Sequence, residues 1–156
     1  MEILHISDLS FSYPETDTPA LRDVSFSVAA GEFVVICGES GCGKTTLLKL
    51  LKPALAPAGE RSGTLEYSGS DLYGLDERRT VAEIGYVLQN PDNQIVTDRV
   101  WHELAFGLES LGLPTPVIRR RVGEMASYFG IQDWFRRRTD ELSGGQKQLL
   151  NLASVM

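Results

Sequence analysis

Cysteine is nearly absent from this sequence: Cys37 and Cys42 are the only two among 156 residues. With no second pair and no histidine cluster, they exclude a disulfide scaffold and offer no zinc-ligand spacing. Reduced thiols fit a reducing compartment. Long apolar runs are missing as well, the longest being Phe33 to Cys37 and a few leucines near Leu47, whereas a helix needs ~20 apolar residues to cross a bilayer. Glu2, His5 and Asp8 stand where a secretory signal would carry a basic and then an apolar region, so the reading is cytoplasmic. An excess of basic charge is also lacking. Fifteen Lys and Arg face 21 Asp and Glu, a net charge of −6, which argues against a protein held to nucleic acid by bulk charge. The local runs Arg119 to Arg121 and Arg136 to Arg138 read as solvated helix faces or as a contact with a partner or anionic lipid. No repeat or low-complexity segment appears.

What is present fits a globular domain, with 42% hydrophobic and 23% charged residues and a length that supports one compact core. Leu9, Phe11 and Tyr13 alternate with polar residues, and so do Val24, Phe26 and Val28; period two predicts two half-buried strands. Phe33 to Cys37 is a continuous β-branched run, which predicts a strand covered on both faces in a parallel sheet with Cys37 filling core space. A glycine-rich loop then leads to a leucine-rich helix from Lys44 to Leu51, ended by Pro53. Thr64 to Tyr67 and Ile84 to Leu88 are read as further strands, making the sheet mixed. Beyond Asp98 the period becomes helical. Val100, Leu104, Leu108 and Leu111 share one face, and a second helix after Pro116 carries Ile118, Val122, Met125 and Phe129 before Gly130. The sum is an α/β core with a helical lobe.

Two segments carry chemistry. Gly38-Glu39-Ser40-Gly41-Cys42-Gly43-Lys44-Thr45, followed by Thr46, matches the phosphate-binding loop between a predicted strand and a predicted helix. Glycines let successive backbone N–H groups converge on phosphate oxygens. Lys44 is expected to bridge the outer phosphates, and the Thr45 hydroxyl to ligate Mg²⁺. Cys42 has no nearby general base and is read as a loop residue. The second segment, Leu142-Ser143-Gly144-Gly145-Gln146, opens an apolar helix. Ser143 and Gln146 have the spacing of a capping box, so a well-capped helix is one reading. Two glycines there nevertheless sacrifice helix propensity unless a ligand approaches the bare backbone, and a second anion site is the other.

Leu142 to Gln146, about a hundred residues after Lys44, resembles the signature motif of ABC ATPases. That resemblance implies an α/β P-loop NTPase core with an antiparallel β subdomain and a helical subdomain. The partial nucleotide-binding domain would span 1–156, with core and β subdomain over about 1–90, helical subdomain over 91–142 and signature helix over 143–156. It also implies ATP and Mg²⁺ as cofactors, bound between two subunits, with Ser143 and Gly145 reaching the γ-phosphate held by the other subunit and Gly144 and Gln146 beside them in the cofactor-binding set. Gln89 matches the glutamine that approaches Mg²⁺ and the attacking water, so Lys44 and Gln89 are the catalytic candidates and Thr45 and Gln89 the metal candidates. Tyr13 falls where an aromatic stacks on adenine, though a strand tyrosine packed on the core is an equal reading.

Gln89 to Gln94 and Val100 to Glu109 resemble the energy-coupling-factor branch, which serves vitamin and cobalt or nickel uptake. The resemblance implies a second ABC ATPase subunit and an integral membrane subunit as partners, with the protein peripheral on the cytoplasmic face of the membrane. Gln146-Lys147-Gln148-Leu149 departs from the more frequent Gln-x-Gln-Arg. A soluble relative acting on nucleic acid or ribosomes, and a nucleotide-binding module that does not hydrolyse, are the rival readings. The family's Walker B aspartate, catalytic glutamate and switch histidine are not found in these residues, and His5 and His102 do not replace the histidine. The sequence stops at Met156 within an apolar helical run, which reads as truncation; the residues alone are expected to bind nucleotide without turnover and to expose core surface that favours association.

Overall fold

The computed structural model describes residues 2–156, which resolve into two compact units, the first ending at Ile84 and the second spanning Gly85–Met156.

The first unit is built on a four-stranded antiparallel sheet in the order β2-β1-β3-β4, where β1 is Glu2–Ser12, β2 Leu21–Ala29, β3 Glu60–Tyr67 and β4 Ser70–Asp71. Strand β1 sits at its centre, paired with β2 on one side and β3 on the other. Its buried residues are Ile6, Leu9 and Phe11, a spacing that breaks strict alternation. The break is a bulge: Asp8 has φ 52°, and the register shifts between Ile6 and Leu9 against β2 and between Ser7 and Ser10 against β3. One extra residue returns Leu9 and Phe11 to the face that Ile6 already occupies. Gly63 makes room for it, since a Cβ there would lie 2.4 Å from the Asp8 carbonyl oxygen.

Against this sheet packs α1, Lys44–Leu50, through Leu47 and Leu50, in a core with Leu21, Leu65 and Leu72. Burying a leucine of this kind stabilises by about 1.5–3 kcal/mol. A short helix α2, Glu77–Glu83, is started by the Asp76 carboxylate, which accepts from the Arg79 N–H. Lys52 closes its other end. Only 9% exposed, it donates to the carbonyls of Thr80 at 2.8 Å and of Ile84, and burial pushes its pKa below the usual 10.5.

Two expectations fail in the strands. Phe33 to Cys37 forms no strand: Phe33 is 91% exposed, Val35 67%, and Cys37 is exposed rather than filling a core. Ile84 to Leu88 likewise pairs with nothing among the described residues, so the sheet is antiparallel rather than mixed. An apolar run becomes a strand only when a neighbour takes its N–H and C=O groups.

The second unit is helical. Helices α3 (Val100–Ser110), α4 (Thr115–Phe129) and α5 (Gly144–Val155) enclose a core of Val100, Leu104, Ile118, Val122, Ala126 and Leu150, among others. Pro116 lies in the first turn of α4, and Gly130, at φ 68°, supplies its left-handed stop. The turn before α5 is tied back to the start of α3, with Val100 N–H donating to Arg137 O, Trp101 N–H to Phe135 O and Thr139 N–H to Asp98 O.

Candidate functional site

The loop from Gly38 to Gly43 runs exposed into α1. Gly43 occupies the N-cap position with φ 95°, and a Cβ on it would lie 2.5 Å from Ala20 O, so the strand-side chain passes too close for any other residue. Gly41 faces open space. Lys44 directs its ammonium onto the loop itself, donating to Gly38 O at 2.9 Å and Glu39 O at 2.6 Å, with Cys42 Sγ at 3.5 Å. Thr45 is exposed on the first turn of α1, whereas Thr46 beside it is buried and shares a hydrogen bond of 2.9 Å with the Tyr13 hydroxyl. The Tyr13 ring, 38% exposed, stands edge-on to Phe11 at 5.0 Å. Both readings of Tyr13 thus find a physical basis: one edge packs on the core and the remainder is open. Helix α1 has only seven residues, so local amides and Lys44, not a long macrodipole, supply the positive field.

The other candidates lie in the second unit. Gln89 is exposed in a loop that continues into a 3-10 turn over Pro91–Asn93. Ser143 caps α5 with both bonds of the capping box: Gln146 N–H donates to Ser143 Oγ at 3.3 Å, and Ser143 N–H to Gln146 Oε1 at 2.9 Å. Gly144 and Gly145 have nothing within 4 Å of where a Cβ would stand. The chain's own packing therefore places no demand for glycine there, which favours a backbone kept bare for something outside the unit.

Three residues that sequence reasoning passed over organise this unit. Glu103, 4% exposed, accepts from Val96 N–H, Thr97 N–H and the Thr97 hydroxyl. Asn151, fully buried, donates to Pro91 O at 3.1 Å. Lys147 reaches Asp92 at 2.6 Å. Their signal was a charged or amide residue on an otherwise apolar helix face, which alone does not name a partner.

The sequence pattern of the family described as "ABC transporter" matches residues 21–156. The chain belongs to the ABC transporter family. A putative ABC transporter ATP-binding protein of Bacillus cereus is 48% identical over 151 residues, covering 97% of this chain and 27% of that protein. An energy-coupling factor transporter ATP-binding protein, EcfA1 of Lacticaseibacillus paracasei, is 41% identical over 154 residues, covering 99% of this chain and 54% of its own length. The solved structure of cbiO1 from Clostridium perfringens, described as part of the ABC transporter complex cbiONQ, superimposes with a TM-score of 0.84 at 30% identity, covering 99% of this chain and 61% of that one. The chain thus spans about half, or less, of the curated relatives it matches, and the fold is that of ABC ATPases. Its residues also suit a magnesium nucleotide: Lys44 is a cation set in a glycine-rich loop, and the exposed Thr45 hydroxyl is an oxygen donor of the kind Mg²⁺ accepts. Among the described residues there is no group of three or more His, Cys, Asp or Glu placed to hold a metal ion. No helix among them is long and apolar enough to cross a membrane.

Proposed function

We propose that these residues form the ATP- and Mg²⁺-binding part of an ATPase subunit that powers uptake through an energy-coupling-factor type transporter for vitamins or cobalt and nickel. The observation that carries this is the pairing, in one chain, of a loop whose lysine is held by the loop itself, through the carbonyls of Gly38 and Glu39 and Cys42 Sγ, with a capped helix start whose two glycines answer no internal packing need. The names of the relatives support the transporter branch. In this reading Gly38 to Thr46 cradle the phosphates, Tyr13 stacks on adenine, Thr45 and Gln89 hold the metal, and Gln89 orients water. Ser143 to Gln146 contact the γ-phosphate bound by a second ABC ATPase subunit. Bound magnesium would neutralise charge that builds on the phosphate oxygens. An integral membrane subunit keeps the protein on the cytoplasmic face of the membrane.

Residues 1–156 alone are proposed to bind ATP without sustained turnover, because positioning of water and charge stabilisation supply nearly all phosphoryl-transfer catalysis and no acidic residue in them has motif support for that task. Calorimetry with ATP and Mg²⁺ tests the assignment. Lys44→Ala is expected to weaken affinity by tenfold or more, since charge-assisted hydrogen bonds are worth about 1.5–3 kcal/mol; unchanged affinity would refute it. A phosphate-release assay, with Lys44→Ala as control, tests the second part, and Lys44-dependent multiple turnover would reverse it. Co-purification of the complete protein with a membrane protein, rather than with ribosomes or nucleic acid, is expected.

A further inference from the structure

We propose that Lys147 and Asn151 are positioning residues that fasten the loop after Gln89 to the helix headed by Ser143, so that both segments respond to nucleotide as one piece. The inference rests on the nucleotide-binding reading of Gln89 and Ser143 given above.

Lys147 and Asn151 are four residues apart and therefore share a face of α5, about 6 Å apart along its axis. Lys147 Nζ lies 2.6 Å from Asp92 Oδ1, and Asn151 Nδ2 donates to Pro91 O at 3.1 Å. Pro91 and Asp92 follow Gln89 by two and three residues, within a 3-10 turn that Asn90 caps by accepting from the Asp92 N–H. The far end of the same loop is fastened too. Glu103 takes the N–H groups of Val96 and Thr97, and the Thr139 hydroxyl donates to Thr97 O at 2.8 Å, four residues before Ser143. The loop is thus anchored behind Ser143 on α5 and ahead of it on the preceding turn.

Stability does not explain these anchors. Asp92 is 64% exposed although Lys147 is only 18% exposed, and a pair open to solvent at one end contributes modestly to folding. Asn151 is wholly buried, yet its Oδ1 has no hydrogen-bond partner among the described residues, a burden that an apolar side chain of similar size would avoid. A buried amide kept on these terms sets a position: it holds Pro91 at one place along α5. When a γ-phosphate draws on Ser143 and the amides of Gly144 and Gly145, α5 carries Pro91 and Asp92 with it, and Gln89 moves with them.

The test uses the full-length protein assembled with its partners, followed by hydrogen exchange with and without ATP and Mg²⁺. In the unsubstituted protein, nucleotide is expected to slow exchange both at 144–147 and at 92–97. Asn151→Leu is expected to keep or raise the unfolding temperature and to retain protection at 144–147. It should lose protection at 92–97 and lower kcat about tenfold, a usual size for coupling between sites, with KM changed by less than about twofold. Asp92→Lys and Lys147→Asp should each behave alike, and the double exchange should restore both protection and kcat. Protection at 92–97 that survives Asn151→Leu, or a double exchange no better than either single, overturns the coupling. An unsubstituted protein that does not bind ATP overturns the nucleotide reading and this inference with it.

Discussion

The hydroxyl of Tyr13, at the end of the central strand, is hydrogen-bonded at 2.9 Å to the hydroxyl of Thr46, the buried third residue of α1. One contact therefore sets the distance between the aromatic ring and the loop that carries Lys44. Tyr13→Phe keeps the ring and is expected to destabilise the fold by about 1 kcal/mol, the net worth of a hydrogen bond, with ATP affinity changed little. Tyr13→Ala, which removes the stacking surface, should weaken ATP binding in addition. Urea midpoints and calorimetry on the same two variants separate the effects; equal affinities for both would remove Tyr13 from the nucleotide site.

Gly43 and Gly145 are expected to respond in opposite directions to alanine. At Gly43 the new Cβ would meet Ala20 O at 2.5 Å with φ at 95°, so Gly43→Ala should destabilise strongly. At Gly145 nothing lies within 4 Å, and alanine favours the helix by about 0.5–1 kcal/mol. Gly145→Ala should therefore raise thermal stability while lowering ATPase turnover of the complete protein. A variant that is more stable and fully active would show that this glycine serves no ligand.

Lys52 gives a pH dependence with a definite sign. Its folded-state pKa is lowered by burial from 10.5, so between that lowered value and 10.5 the unfolded chain binds more protons than the native one. Stability contributed by this group therefore rises with pH across that window and is lost again as pH falls through the lowered value. Tyr67, Tyr73 and Tyr86 have pKa values raised by burial and pull the other way, but they are common to the native chain and Lys52→Met. The substitution removes the Lys52 donor from the Ile84 carbonyl and one of the two donors to the Thr80 carbonyl, which keeps the Ile84 N–H, and should cost about 1–3 kcal/mol near neutral pH. Denaturation midpoints should show the gap between the two proteins widening as pH approaches 10.5; a narrowing gap would contradict the assignment.

Val96 is 62% exposed although its N–H is tied to Glu103, whereas Trp101 packs edge-on against Phe135 at 5.3 Å. A charge at Val96 is expected to uncouple transport from ATP binding in the complete protein while the fold persists. A charge at Trp101 is expected to loosen the helical unit and both activities together. Transport assays beside ATP-binding measurements check this, and loss of ATP binding in Val96→Glu would assign Val96 to the core instead.

Local chemistry was legible and pairing was not. The helix starts at Lys44 and Ser143, and the stop at Gly130, follow from capping residues and spacing contained within a few positions. The start of α2 carried the same kind of signal in Asp76, whose side chain caps the Arg79 N–H, but its short length left it unread. Strand pairing depends on residues far away. Leu9 and Phe11 announce a strand, yet the bulge at Asp8 that brings Ile6 to the same face cannot be seen by counting alternation. Phe33 to Cys37 had the composition of a covered strand and, Ile36 apart, lies open, because composition cannot supply a neighbour. At the site, the glycine loop and the capped helix were evident from spacing, while Asn151 and Glu103 acquire meaning only through Pro91 and Thr97, brought to them by the fold.

The ammonium of Lys44 takes the carbonyl oxygens of Gly38 and Glu39 as its ligands. Capture of an anion is then an exchange of one set of oxygens for another, and the loop must give up the cation that staples its two ends. Association should accordingly occur in two stages, a concentration-dependent encounter followed by a first-order swing of the ammonium. In stopped-flow traces the observed rate would climb with nucleotide concentration and then level off at the rate of that swing, a plateau that Lys44→Ala, having no cation to release, would not show.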